Sequence, residues 1–437
     1  MGKTSVWPVS APIRVRNLMI CTAVLAILAA GARLYAQGGD NPISIANQLV
    51  DQGNRQQAQG DFAKAISSYN RALQVESKYA EAYLGRAMAE QGEGKLDLAL
   101  ADYTQAIHIN PHLAEAHNNY ATLLFQEGNL DEAVTEFGKA IQSNRHLAEP
   151  HAARGTIYYL KGDMKAAIAD FTRAIELFPS FFADAAKVTA KNPRLGLAYD
   201  SRALARQSSG DIAGAITDFD KAIEITPDPK FYNNRAIARQ QNNDLDGSLS
   251  DYSTALALDP GLVAAYYNRG RTRLRKGEME GAISDFTATI QQADKLASER
   301  DSLPADASTG AILYACHISR GLALEARGDP AKAAEDFSEA IAMDPRTATG
   351  YAHRGRVRQE KGQLEAALDD LDKAVELDPN AAMPYMDRGL VRLLQGNQAE
   401  ADKDFKKCLA LDPNMKSLLE TRVQLVNQAK AASGSGK

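Results

Sequence analysis

One pattern recurs ten times along this chain, most often at a spacing of 34 residues. Its most regular mark is an aromatic residue or Leu, at Tyr69, Tyr103, Phe137, Phe171, Phe219, Tyr252, Phe286, Phe337, Leu371 and Phe405. Successive marks lie 34, 34, 34, 48, 33, 34, 51, 34 and 34 residues apart. Around each stands an Ala or Ser four residues before, a small residue three after and usually a Pro eight after. Such a period describes stacked units, each burying its neighbour, and not a globule built around a cleft. It also explains how 437 residues fold without one oversized core.

Each unit punctuates itself as two helices. Gly277 suits the left-handed residue that ends a first helix. An Asp often follows and caps the second, as in Gly60-Asp61, Gly162-Asp163, Gly210-Asp211 and Gly328-Asp329, with Pro330 at the tolerant first helical position. The second helix stops before Pro111, Pro179, Pro227, Pro260, Pro345, Pro379 or Pro413. Small residues are expected to set the helix spacing, with Gly155, Gly270, Gly355 and Gly389 facing Ala167, Ala282, Ala367 and Ala401.

These residues resemble the tetratricopeptide repeat family. Its aromatic, Gly/Ala, Ala, aromatic, Ala, Pro pattern is met by Tyr83, Ala87, Ala99, Tyr103, Ala106 and Pro111 in the second unit. The ninth has Tyr351, Gly355, Ala367, Leu371, Ala374 and Pro379. The match covers roughly 340 residues; Ser248, Thr289 and Arg145 are local departures. The resemblance implies an all-α, right-handed superhelical solenoid of about ten helix-turn-helix units with a C-terminal capping helix.

The expected organisation is four repeats over 46–181, an insertion at 182–195, three repeats over 196–296, an insertion at 297–313 and three repeats over 314–415. Residues 182–188 read as an added helical turn, and Asp301 to Ser308, with Pro304, as a loop. Met415, Leu418, Leu419, Val423 and Val426 mark a capping helix over 416–432, followed by a disordered tail at 433–437.

Residues 1–36 read as an export signal. Arg14 and Arg16 precede an apolar run from Leu18 to Ala32, shorter than the ~20 residues of a membrane span, and cleavage is expected after Ala36. The expected location is the periplasm or cell envelope of a Gram-negative bacterium, with residues 18–32 an inner-membrane anchor if cleavage fails. Cys21 is not a lipidation site, because Ile20 precedes it. Cys316 and Cys408 lie two repeats apart and do not pair; Cys408 fills a small core slot.

Setting aside Lys3, Arg14, Arg16 and Arg33 leaves 46 basic and 55 acidic residues, net −9. Such a surface excludes a nucleic-acid binder.

The repeats act as an alignment within one chain, and two of their positions vary together. Arg86, Arg154, Arg202, Arg235, Arg269, Arg320, Arg354 and Arg388 precede the small residue of the first helix. Asp102, Asp170, Asp218, Asp251, Asp285, Asp336, Asp370 and Asp404 precede the second-helix mark. The two repeats without the Arg, with Gln52 and Tyr120, also lack the Asp, having Ser68 and Glu136. An Arg–Asp pair within each of eight repeats is therefore expected, each worth at most ~1 kcal/mol where solvent reaches it.

The family resemblance places ligand contact on the concave face lined by first helices. Expected there are an apolar strip of Leu84, Met88, Phe125, Tyr159 and Leu160, and a cationic stretch of Lys230, Arg271, Arg275 and Arg356. Together they suit another protein's extended or helical segment carrying apolar and acidic residues. The family's chaperone-tail clamp is absent, since Leu84 and Met88, Asn118 and Thr122, or Ala152 and Thr156 occupy its places. No phosphate loop, nucleophile elbow or paired-Cys motif occurs, and neither a metal nor any other cofactor is expected. Pro111 separates His108 from His112, while His117, His151 and His317 take a packing slot. The sequence thus describes a non-enzymatic binding scaffold of the envelope. The alternative is an adaptor in an envelope polysaccharide or pilus assembly machine that contacts a glycan or regulates an enzyme.

Overall fold

The computed structural model describes residues 41–178, 192–299 and 307–434. The expected export segment and Cys21, the turn at 182–188, and the loop residues 301–306 with Pro304 lie outside them. Among the described residues there are 21 α-helices and no strand, arranged as an all-α solenoid of helix pairs in each of two compact units. The first unit ends at Pro227 and the second begins at Asp228, so neither of the longer spacings marks the division.

In the first unit the pairs, each an A helix followed by a B helix, are Pro42–Ala58 with Phe62–Val75, Ala80–Gly92 with Leu96–Ile109, Ala114–Gln126 with Leu130–Ser143, Glu149–Leu160 with Met164–Leu177, and Pro193–Ser209 with Ile212–Ile225. In the second they are Pro229–Gln241 with Leu245–Leu258, Val263–Lys276 with Met279–Glu299, Ala307–Arg327 with Pro330–Met343, Ala348–Glu360 with Leu364–Leu377, and Ala382–Leu394 with Gln398–Leu411. The helix Lys416–Gly434 follows.

The turn between A and B helices is the same device throughout. Nine use a Gly with φ between 74° and 93°, where an L side chain is strained, and the tenth uses Asn243 at φ 62°. Asp61, Asp163, Asp211, Asp244 and Asp329 each accept a hydrogen bond from a backbone N–H of the first turn of the B helix.

The repeating mark is the core. Nine of the ten marks, from Tyr69 to Leu371, are at most 2% exposed. The A-helix glycines meet this ring more than the B-helix alanine expected opposite them. A Cβ on Gly270 would come within 2.8 Å of the Phe286 ring, and one on Gly389 within 2.5 Å of Phe405. Only Gly355 also approaches its B-helix alanine, through the Ala367 carbonyl. The ring serves two A helices: Tyr69 lies against Gly53 of its own repeat and Gly85 of the next. Cys316 and Cys408 are fully buried and unpaired.

The second insertion is more helical than expected. Met279–Glu299 and Ala307–Arg327 are 21 residues each, so Ala307 and Ser308 belong to a helix and not to a loop. The reason is apolar: Ile290, Ile312 and Ala315 pack on the cluster of Phe286 and Cys316. The final helix seals its unit by laying Leu419, Val423 and Val426 on Tyr385, Leu390 and Cys408. Leu418 instead stays 41% exposed, and the helix runs through Gly434, two residues into the tail expected to lack structure.

Candidate functional site

An Arg–carboxylate frame ties A to B helices. In each of eight repeats the A-helix Arg offers Nε and Nη2 side by side to the two oxygens of the B-helix Asp. For Arg202 and Asp218 the distances are 2.8 and 2.7 Å, and for Arg354 and Asp370 they are 2.9 and 2.7 Å. The same two-bonded geometry joins Arg86–Asp102, Arg154–Asp170, Arg235–Asp251, Arg269–Asp285, Arg320–Asp336 and Arg388–Asp404. All eight aspartates are buried, so the ~1 kcal/mol ceiling for pairs that solvent reaches does not apply to them. Removing the cation strands a charge in a poorly hydrated place.

Three features of this frame were missed. A second arginine, one turn further on, holds the same carboxylate in five repeats: Arg206, Arg239, Arg273, Arg358 and Arg392 approach Asp218, Asp251, Asp285, Asp370 and Asp404 at 2.7–2.9 Å. The spacing of four was the available signal. Six of the arginines also stack over the Tyr three residues earlier, at 5.3–5.8 Å from the ring centroid.

The third feature concerns histidine. Where His replaces that Tyr, it packs and also bonds the acid: His151 Nδ1 lies 2.9 Å from Asp170 and His317 Nδ1 lies 2.8 Å from Asp336. In the third repeat, which lacks the Arg, His117 Nδ1 meets Glu136 at 2.6 Å and Nε2 meets the Pro111 carbonyl at 3.0 Å. Lys139 supplies the cation, 2.7 Å from Glu136.

The groove candidates divide. Leu84 is 3% exposed within the Tyr103 cluster, so it is core and unavailable to a ligand. Arg356 is committed as well: Nε and Nη2 each lie 2.8 Å from Glu325 one repeat back. Met88, Phe125 and Tyr159 are half-buried, the last two leaning on the following A helix, while Leu160 is 53% exposed. Arg271 and Arg275 are exposed; Arg271 lies over the Tyr267 ring, and Arg275 donates to the Gln240 carbonyl. Lys230 is exposed in the first turn of the helix that Gln240 nearly ends, ten residues or roughly 15 Å away, so it does not join that pair. Among the described residues no group of three His, Cys, Asp or Glu side chains could hold a metal ion.

Two carboxylates and one imidazole are displaced from their ordinary titration range by burial. Glu90 stands where five repeats have the second Arg, and burial together with Asp102 pushes it up to about 7. Asp387, met by Arg422 of the final helix at 2.7 Å, is pushed up to about 6. His353, stacked on Phe337 and beside Arg356, is pushed down to about 4.

Among curated proteins none matches the chain. Among solved structures, a tetratricopeptide repeat protein from Parabacteroides merdae ATCC 43184 is 19% identical with a TM-score of 0.42, over 64% of this chain and 98% of that one. YrrB, described as a TPR protein with an unusual peptide-binding site, is 22% identical with a TM-score of 0.37, over 49% and 97%. PilW, a widely conserved type IV pilus biogenesis factor, is 20% identical with a TM-score of 0.42, over 49% and 94%. At these identities the likeness concerns fold alone. Models described as tetratricopeptide repeat match residues 50–111, 90–157, 148–181, 197–229, 233–297 and 384–415, and one described as TPR repeat matches 355–396. The chain belongs to the tetratricopeptide repeat family.

Proposed function

We propose that this protein is a non-enzymatic interaction scaffold of the cell envelope that holds a partner polypeptide against its A helices. The observation that carries the reading is the end of the third and fourth A helices, where Phe125 and Tyr159 are half-buried and Leu160 is 53% exposed. Aromatic side chains fixed by packing on the next repeat, with one face open, are the residue type that dominates peptide contacts. In the second unit Arg271 and Arg275 offer exposed guanidinium groups, which suit acidic residues of the partner. Placement in the envelope rests on Arg14, Arg16 and the apolar run to Ala32. No helix among the described residues is long and apolar enough to cross a membrane.

The test is cross-linking in intact envelopes of the source organism, comparing the native protein with a Tyr159→Ala, Arg271→Glu, Arg275→Glu variant. A protein captured by the native chain and lost with the variant, with recovery falling as salt rises, is the expected result. Equal capture by both places binding elsewhere and overturns the reading. Capture of glycan in place of protein overturns it in favour of a polysaccharide adaptor.

A further inference from the structure

The arginine of the frame has a third corner, and its occupant distinguishes one repeat. Nη1 reaches back to the residue that follows the mark of the preceding repeat. Arg86 takes Asn70, Arg202 takes Thr172, Arg269 takes Ser253, Arg320 takes Thr287, Arg354 takes Ser338 and Arg388 takes Asp372. In the fourth repeat that position is Gly138. A Cβ built there would stand 3.6 Å from Arg154 Nη1, and no described side chain reaches that nitrogen.

At the same place the surface opens into a notch of about 460 Å³, lined by Gly138, Ile141, Arg145, His151 and Arg173 among others. Arg145 has no ion-pair or hydrogen-bond partner among the described residues, and Arg173 has only the exposed Glu176. His151 is already engaged with Asp170. Two guanidinium groups, of Arg145 and Arg173, therefore line the notch, and Arg154 Nη1 stands beside the Gly138 that borders it, where other repeats place a hydrogen-bond acceptor. Which acceptor suits a charged, open version is shown by the tenth repeat, where Asp372 puts a carboxylate oxygen 2.7 Å from Arg388 Nη1.

We propose that the Gly138 notch is a carboxylate-binding site, in which Arg154 Nη1 and the Arg145 guanidinium hold an acidic side chain or C-terminal carboxylate of a bound polypeptide against Ile141. It is separate from the A-helix contact residues Phe125, Tyr159 and Leu160 and does not depend on them.

The test follows the arginine Nε–Hε signals of the full chain by NMR. One probe is N-acetyl-aspartamide, with a side-chain carboxylate, and the other is N-acetyl-alanine, with a terminal one. Saturable shifts of Arg154 and Arg145 with either probe are expected, and the probe that saturates first identifies the source. Gly138→Ala, whose methyl fits at 3.6 Å, retains the response. Gly138→Asp, which installs the carboxylate seen in the tenth repeat, abolishes it and shifts Arg154 without any probe. If Gly138→Asp does not fold, Arg145→Gln replaces it, with saturation expected to weaken by about threefold or more. Equal responses in all variants, or no saturation, overturn the proposal. So does saturation by inorganic phosphate with neither carboxylate binding.

Discussion

Arg388 meets Asp404 edge-on, with Nη2 2.6 Å from Oδ1 and Nε 3.0 Å from Oδ2, and the carboxylate lies only 3% exposed beneath it. One guanidinium thereby joins the two helices of its own repeat, while Nη1 reaches Asp372 of the repeat before. The planar fork of Arg allows three directed contacts that a Lys cannot make. Apolar rings provide most of the attraction between neighbouring repeats, but that attraction is not directional. The frame pins the register of A against B helices and of one repeat against the next.

Asp285 receives both Arg269 and Arg273 and is 2% exposed. Asp285→Ala leaves two partly buried guanidinium groups facing each other and is expected to destabilise the seventh repeat by about 3 kcal/mol. Arg273→Ala, which leaves the Arg269 pair intact, should cost less than half as much. Hydrogen exchange of the amides in Val263–Lys276 and Met279–Glu299 is the appropriate measurement, because arrays of this length need not unfold in one step. Native-like protection in Asp285→Ala would show the carboxylate to be dispensable.

Glu90 sets a pH dependence opposite to that of Asp170 and Asp336, whose carboxyls are held below the usual range, against the pull of burial, by their Arg and His partners. It faces Asp102, Arg86 and Lys95, and its carboxyl titrates near 7 when folded against an ordinary 4.5. The folded state therefore holds the proton more tightly, so this contribution to stability is complete below pH 4.5 and is lost as the pH rises through 7. Glu90→Gln keeps a donor toward Asp102 without the charge. It should stabilise the second repeat at pH 8 by roughly 2–3 kcal/mol and change little at pH 4. Unfolding curves at the two pH values check this; a benefit that is the same at both would assign it to packing.

The period of 34 made helix pairs, turns and core marks legible, because each signal was repeated and local. The Arg and the Asp also stood out, since both vanish together at Gln52 with Ser68 and at Tyr120 with Glu136. Burial did not: Leu84, which is core, and Leu160, which is exposed, stand two residues before and six after the frame Arg of their repeats, and the pattern did not say which of these positions packing covers. Arg356 read as a free cation because its partner Glu325 lies 31 residues away in another repeat. The unit boundary at Pro227 was invisible for the same reason, the spacing there being an ordinary 33.

Asn243 is the one non-Gly residue of positive φ among the described residues, at 62°. Asn tolerates this conformation better than other side chains, yet still less well than Gly. Asn243→Gly is expected to stabilise the sixth repeat by about 0.5 kcal/mol, less than the bare φ preference because Arg275 loses its contact to Asn243 Oδ1. Gly128→Ala, which imposes the strain at φ 85°, should cost about 1 kcal/mol. Melting temperatures moving in the same direction for both variants would contradict the conformational account.

Gly270→Ala tests whether close approach or helix propensity governs the A helix. In an exposed helix the change gains about 1 kcal/mol. Here the new methyl would come within 2.8 Å of the buried Phe286 ring, which is 0% exposed and has Tyr267 at 6.0 Å between centroids. Overpacking of this kind costs typically ~1–3 kcal/mol, so the net effect should be a loss of about 1 kcal/mol. Repeats that carry Ala at this position, with Ala87 against Tyr103 and Ala236 against Tyr252, are built with their helices already set for the methyl. Gly270→Ala combined with Phe286→Ala, which removes the ring altogether, should therefore lose less than the two single changes added together; Leu would not open the space, since a Cβ on Gly355 would already meet Leu371 at 2.8 Å. Strict additivity in that cycle would mean that the glycine and the ring do not limit each other.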